Sequence, residues 1–168
     1  QLSTSTDVDY YKFTAASSGS VSITLNTPTN SSYDYFKFTL YDSSNNALGQ
    51  YSTGKDLTAS LGISAAGTYY VKVAAAGYSH DAGEYNLTAS LAAGSAAGFE
   101  SESNSSASTA NALTLGSPIK GQLSTSTDVD YYKFTAASSG SVSITLNTPT
   151  NSSYNDYFNF TLCNWSGE

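Results

Sequence analysis

The chain has 168 residues and carries 6 Lys plus Arg against 13 Asp plus Glu, a formal charge of −7. Six scattered cations do not build the basic face that a nucleic-acid binder needs, and no apolar run approaches the roughly 18 to 20 residues that cross a bilayer. Aromatics make up 13% of the residues, too many for a disordered acidic tail, and the lone Cys163 has no partner for an internal bridge. The expectation is a polar-surfaced, β-rich protein with no nucleic-acid partner and no membrane insertion.

In chain order, the first segment is Asp7-Val8-Asp9-Tyr10-Tyr11-Lys12-Phe13. Next, Val21, Ile23 and Leu25 alternate with Ser20, Ser22 and Thr24, and Phe36, Phe38 and Leu40 alternate with Tyr35, Lys37 and Thr39. Tyr69, Val71 and Val73, then Tyr85, Leu87 and Ala89, keep the same period of two. Such alternation predicts half-buried antiparallel strands. Clusters at Ser17-Ser18-Gly19, Thr27-Pro28-Thr29-Asn30, Ser43-Ser44-Asn45-Asn46 and Ala65-Ala66-Gly67 predict the turns between them. Only Ser108 to Leu115 offers a short helical turn. The fold class is therefore all-β: an antiparallel sandwich of jelly-roll or immunoglobulin-like type.

Self-similarity sets the organisation. Residues 1–32 recur letter for letter at 122–153, a period of 121. After an inserted Asn155 the match resumes and then ends near Leu162. The low-complexity run Ala92 to Ala97 reads as a linker. The predicted division is a first unit, 1–96, lacking its N-terminal segment, and a second, 97–168, truncated after about 162. Alternatively, 1–121 could close as a permuted domain.

Acids are scarce, so two clusters stand out: Glu100-Ser101-Glu102-Ser103-Asn104, and Asp128-Val129-Asp130, which recurs as Asp7-Val8-Asp9. Acids at i and i+2 on extended backbone point to one side. Like charges held together cost energy unless a cation lies between them, and hard oxygen donors suit Ca²⁺. Spacing alone leaves open a second possibility, solvated turn residues at strand starts. The only histidine, His80, falls in a hairpin loop, and there is no G-x-S-x-G or H-E-x-x-H, so no catalysis is expected. Tyr10, Tyr35, Tyr41, Tyr70 and Tyr131 are expected to face away from the apolar side of their strands, either as a ligand platform or as plain packing.

The string ESESNSSASTANALTLGSPIKGQLSTSTDVDYYKF, then the valine/isoleucine strand, GTYYVKV and EYNLTASL, resembles the bacterial pre-peptidase C-terminal domain family, which includes collagen-binding modules of secreted collagenases. The resemblance covers nearly one period, in the order 98–121, 1–40, 57–91. It implies a sandwich appended to secreted enzymes or surface proteins, with Ca²⁺ held by Glu100, Glu102 and Asn104 of the opening segment and by Asp128 and Asp130 of the loop. Asp7 and Asp9 form the alternative loop pair. Ser105 stands where collagenase-type modules often carry an acid, which removes one carboxylate from the implied set.

Together these features predict a non-catalytic, secreted module, extracellular and at a bacterial cell surface, for adhesion, polymer binding or scaffolding. The polymer would be a polysaccharide or collagen-like. Two alternatives are an accessory C-terminal domain of a secreted hydrolase and a filament subunit completed by strand exchange with neighbouring copies of itself.

Overall fold

The period-two segments become seven strands: β1 (Val8–Ala15), β2 (Gly19–Asn26), β3 (Phe36–Tyr41), β4 (Ala47–Thr53), β5 (Leu57–Ile63), β6 (Gly67–Ala75) and β7 (Asn86–Ala93). The computed structural model describes residues 1–94, 96, 98–148 and 158–164. Ser95 and Ala97 of the predicted linker, the inserted Asn155 with its neighbours 149–157, and the tail from Trp165 lie outside the described residues.

Two antiparallel sheets form, with strand orders β1-β6-β3-β4 and β5-β2-β7. Their apolar sides meet in one core, where Val21, Ile23 and Leu25 of β2 face Phe36, Phe38 and Leu40 of β3 among other residues, all six with no exposed surface. The polar side of β2 is equally ordered: Ser22 and Thr24 meet Ser60 and Thr58 of β5 through hydroxyl pairs at 2.8 Å. The Ser43–Asn46 turn follows from Asp42, whose Oδ1 accepts from the backbone of Ser44 and Asn46 at 2.8 and 2.9 Å.

The chain divides into Gln1–Phe134 and Thr135–Glu168. Within the first unit, residues 98–134 form a loop-rich segment beside the strands. It contains the short strands β8 (Asn111–Ala112) and β9 (Tyr132–Lys133), which pair in parallel. The helical turn expected from Ser108 to Leu115 is absent. Asn111 instead exchanges side-chain bonds with the Ser101 backbone at 2.6 and 3.0 Å and leads into β8. Gln122 closes the free edge of β4: its amide accepts from Gln50 N at 2.7 Å and donates to Gln50 O at 2.8 Å, as a neighbouring strand's peptide would.

The β2 sequence repeats without repeating as a strand among the described residues. Described residues of 135–164 include no strand or helix. Val142, Ile144 and Leu146 are 43%, 41% and 49% exposed, while Val21, Ile23 and Leu25, the same residues one period earlier, are at 0%. β2 is held by β5 on one side and β7 on the other. Among the described residues no strand pairs with 140–147, and an extended segment without a neighbour leaves its backbone groups to water.

The copies should therefore respond differently to one substitution. Ile23→Ala should lower unfolding free energy by about 3 kcal/mol, as cavity formation in a packed core does. Ile144→Ala should change it by less than about 0.5 kcal/mol. Urea unfolding of the two variants measures both, and equal losses would contradict the asymmetry.

Candidate metal centre

The acidic opening segment and the second D-x-D loop do come together. Each of Glu100, Glu102 and Asp130 presents a carboxylate oxygen, and the three oxygens lie within 4.8 Å of one another. Backbone pairing sets this up. Phe99 and Lys120 form a parallel bridge, with Glu100 N donating to Lys120 O at 2.9 Å. Tyr131 N donates to Asn104 O at 3.0 Å, which fastens the opening segment directly to the loop.

Glu100 is the anchor. Only 7% exposed, it accepts from Gln122 N through Oε1 and from the Tyr132 hydroxyl through Oε2, both at 2.5 Å. Asn104 is completely buried. Its Nδ2 donates to Glu100 Oε2 at 3.4 Å, while its Oδ1 has no hydrogen-bond partner. Glu102 Oε1 and Asp130 Oδ1 are likewise buried without partners. Buried polar atoms are almost always satisfied. Here three unsatisfied atoms occur in one place, and all three are acceptors.

The charges are equally uncompensated. The chain has no arginine, and among the described residues no lysine pairs with these acids. Burial first, then the charge of Asp128, pushes the Glu102 carboxyl up to about 7. Burial, then the charges of Glu100 and Asp128, pushes Asp130 up to about 8. Tyr132 is raised as well, by burial and by its bond to the Glu100 carboxylate. A cation-free cluster therefore holds protons through neutrality, and a cation would displace them.

Asp128 sits close enough to act on Glu102 and Asp130 through its charge, but its own oxygen is engaged. Oδ2 accepts from Ser124 N and Oγ at 2.6 and 2.8 Å, closing the turn before the loop. The group of three converging carboxylates does not include it.

The alternative pair is not brought to this segment: Asp7 and Asp9 are outside the converging group. Asp7 closes the equivalent turn by accepting from Ser3 N at 2.7 Å, which lowers its carboxyl below the usual range. Asp9 Oδ2 accepts from the Tyr85 hydroxyl at 2.6 Å, and Tyr85 in turn meets the Tyr11 hydroxyl at 2.8 Å. In copy one a phenol satisfies the second aspartate; in copy two Glu100 and Glu102 face it. The carboxylates that converge with Glu100 and Glu102 therefore include Asp130 and not Asp7 or Asp9.

Tyr10, Tyr41, Tyr70 and Tyr131 keep exposed or half-exposed positions, whereas Tyr35 packs against the hydrophobic core. Preceding β3 rather than lying in it, Tyr35 escapes the strand's alternation. His80 lies in the β6–β7 loop.

Three participants were not visible in the sequence pattern: Gln122, Tyr132 as a ligand of Glu100, and Gly121. A Cβ on Gly121 would stand 2.2 Å from the Tyr132 hydroxyl and 2.5 Å from Glu100 Oε2. Only glycine lets these two meet.

Comparison with known proteins places this geometry in context. Residues 7–75, which span β1 to β6, match the family model described as "Bacterial pre-peptidase C-terminal domain". Among solved structures, the pre-peptidase C-terminal domain of collagenase from Bacillus anthracis is similar at 22% identity and a TM-score of 0.37, covering 52% of this chain and 83% of that one. No curated protein matches. No helix among the described residues is long and apolar enough to cross a membrane.

Two outcomes test the site. Gly121→Ala should destabilise the first unit by about 2 kcal/mol, in the range of overpacking, as read by chemical denaturation. In chelator, stability should fall as pH rises. Glu102 and Asp130 have ordinary values of 4.5 and 3.8 and are raised to about 7 and about 8, so between roughly pH 4 and pH 8 the folded state binds more protons than the unfolded one. Unfolding curves at about pH 5 and about pH 8 check the sign; level or rising stability across that window contradicts it.

Proposed function

We propose, from the premise that this chain carries a bacterial pre-peptidase C-terminal domain, that it is a non-catalytic accessory module of a secreted bacterial protein, and that Ca²⁺ stiffens it. The observation that carries the metal assignment is the set of buried, partnerless oxygens on Glu102, Asn104 and Asp130 beside Glu100. Carboxylate and amide oxygens without nitrogen or sulfur donors suit a hard cation, and a site assembled from loops tolerates the irregular geometry of Ca²⁺ better than the strict octahedron of Mg²⁺. Glu100, Glu102, Asn104 and Asp130 would hold the ion. Asp128 would contribute its charge while closing the turn at Ser124.

Binding would fix the opening segment 98–105 against the loop at 128–130, tying the chain that leaves β7 to the start of the second copy. The family and the exposed tyrosines support a role at the cell surface or in the extracellular space, in adhesion, scaffolding or attachment to a polymer. The catalytic part of any parent hydrolase would lie elsewhere.

Ca²⁺ at 100 times its dissociation constant should stabilise the first unit by about 2.7 kcal/mol, a rise of roughly 10 °C in melting temperature for a domain of this size. It should also slow proteolytic cleavage between residues 94 and 105. Glu102→Gln with Asp130→Asn should abolish both effects without unfolding the protein, since the neutral pair relieves the repulsion. Calorimetry and limited digestion with and without chelator decide it, and identical melting and cleavage in both conditions would sink the metal assignment.

A second possibility is favoured by the contrast between copies. Segment 140–147 repeats the sequence of β2 with Val142, Ile144 and Leu146 exposed. A second chain's β5 and β7 would accept it in the native register, because the letters are identical. Strand exchange of this kind would join chains into oligomers. Sedimentation at increasing concentration tests it: growth with concentration, lost when Ile144 is replaced by Asp, is the expected result.

A further inference from the structure

We infer that the outer face of the β1-β6-β3-β4 sheet binds an extended acidic polysaccharide of the uronate class. This deepens the polymer-binding part of the proposed function and is independent of the metal centre.

The placement follows from strand register. Tyr10 of β1 lies opposite Lys72 of β6, and Lys12 opposite Tyr70. Lys72 is in turn opposite Thr39 of β3, Ala74 opposite Lys37, and Tyr70 opposite Tyr41. Lys12, Lys72 and Lys37 therefore occupy successive strands, each displaced by one outward position. They form a diagonal across the sheet with about 8 Å between successive Cα atoms, from ordinary strand spacing and rise. Each belongs to the side opposite the core: Lys37 lies between buried Phe36 and Phe38, and Lys72 between buried Val71 and Val73.

Half of the chain's six lysines thus sit on one face of a protein with thirteen acids. The outward positions of these four strands include no Asp or Glu. Asp9, the one acid within them, turns inward to Tyr85. Among the described residues none of the three lysines has an ion-pair partner. Three ammonium groups gathered without counter-charges are disfavoured in the free protein, and an anionic partner relieves that.

The tyrosines select the kind of anion. Tyr10 stands on one side of the lysine diagonal, 62% exposed, with Lys72 Nζ 6.0 Å from its ring centroid. Tyr70 and Tyr41 stand on the other side. Flat rings with polar tips offer stacking area to sugar faces, while the lysines meet carboxylates spaced along the polymer. A lipid surface fits less well, because this face has no row of protruding aliphatic side chains to enter a bilayer.

The test is binding of the full chain to polygalacturonate, in chelator so that Ca²⁺ bridges nothing, with amylose, a collagen-like peptide, poly-glutamate and anionic vesicles as comparisons. Polygalacturonate should bind, and more weakly as salt rises from about 50 mM to about 300 mM. Changing Lys12, Lys37 and Lys72 together to Gln should weaken binding about tenfold, the sum of three exposed contacts, and Tyr10→Ala should weaken it by a smaller factor. Lys55→Gln, off this face, should leave affinity unchanged, with melting curves confirming that each variant folds. Binding of amylose or the collagen-like peptide that ignores the lysine changes would overturn this inference and leave the polymer reading standing. Binding of no polymer would overturn both. Equal binding of poly-glutamate or vesicles would overturn the assignment to a polysaccharide.

Discussion

A β-strand cannot satisfy its own backbone; the hydrogen bonds it needs must come from another strand. The β1–β2 sequence occurs twice, and among the described residues only its first copy is received by other strands in both sheets. The rest of the described architecture depends on which copy is received. The copy at the N-terminal end lies between β6 on one sheet and β5 and β7 on the other. The second copy contributes only Tyr132 and Lys133 to a short parallel pair with Asn111 and Ala112.

Freed from a full strand, the second D-x-D-Y-Y segment serves a different purpose. Tyr11, in the sheet, directs its hydroxyl to Tyr85, and Asp9 accepts from the same phenol. Tyr132, outside any large sheet, reaches Glu100, and Asp130 turns an oxygen to where Glu102 and Asn104 also leave theirs without partners. The same five letters give a satisfied hydrogen-bond chain in one place and a concentration of unshared electron pairs in the other. What differs is the neighbour: a tyrosine that donates, or glutamates that only accept while ionised.

Within the first unit, the converging acids and the three sheet lysines belong to different parts of the chain. Carboxylates crowd the segment 100–130, while lysines and tyrosines occupy the outer surface of the four-stranded sheet. With only 11% of residues charged, this separation is not diluted by a mixed surface, and each group retains the field of its own sign.

Much of the architecture was legible. Alternation marked β2, β3, β6 and β7, and turn residues marked their boundaries, because burial on one side of a sheet writes a period of two into the sequence. The convergence of Glu100 and Glu102 with Asp130 was also legible, through family resemblance rather than spacing. Asp128 belongs to the same implied ligand set, yet its oxygen closes a turn on Ser124. Gln122, Gly121 and Tyr132 carry no local signal, since their roles arise from contacts with residues distant in the chain, 22 to 72 residues away for the hydrogen bonds of Gln122 and Tyr132.

The division between local and non-local information is visible within the repeat itself. Ser3 to Asp7 and Ser124 to Asp128 fold into the same turn, with matching bonds from serine N to aspartate Oδ2 at 2.7 and 2.6 Å and from the aspartate N to threonine O at 3.1 and 3.2 Å. All partners lie within four residues, so the sequence alone determined the turn wherever it occurred. Val21, Ile23 and Leu25 against Val142, Ile144 and Leu146 gave opposite results from identical letters. Whether those residues form a strand and a core was decided by tertiary structure, because the groups that complete them belong to other parts of the chain.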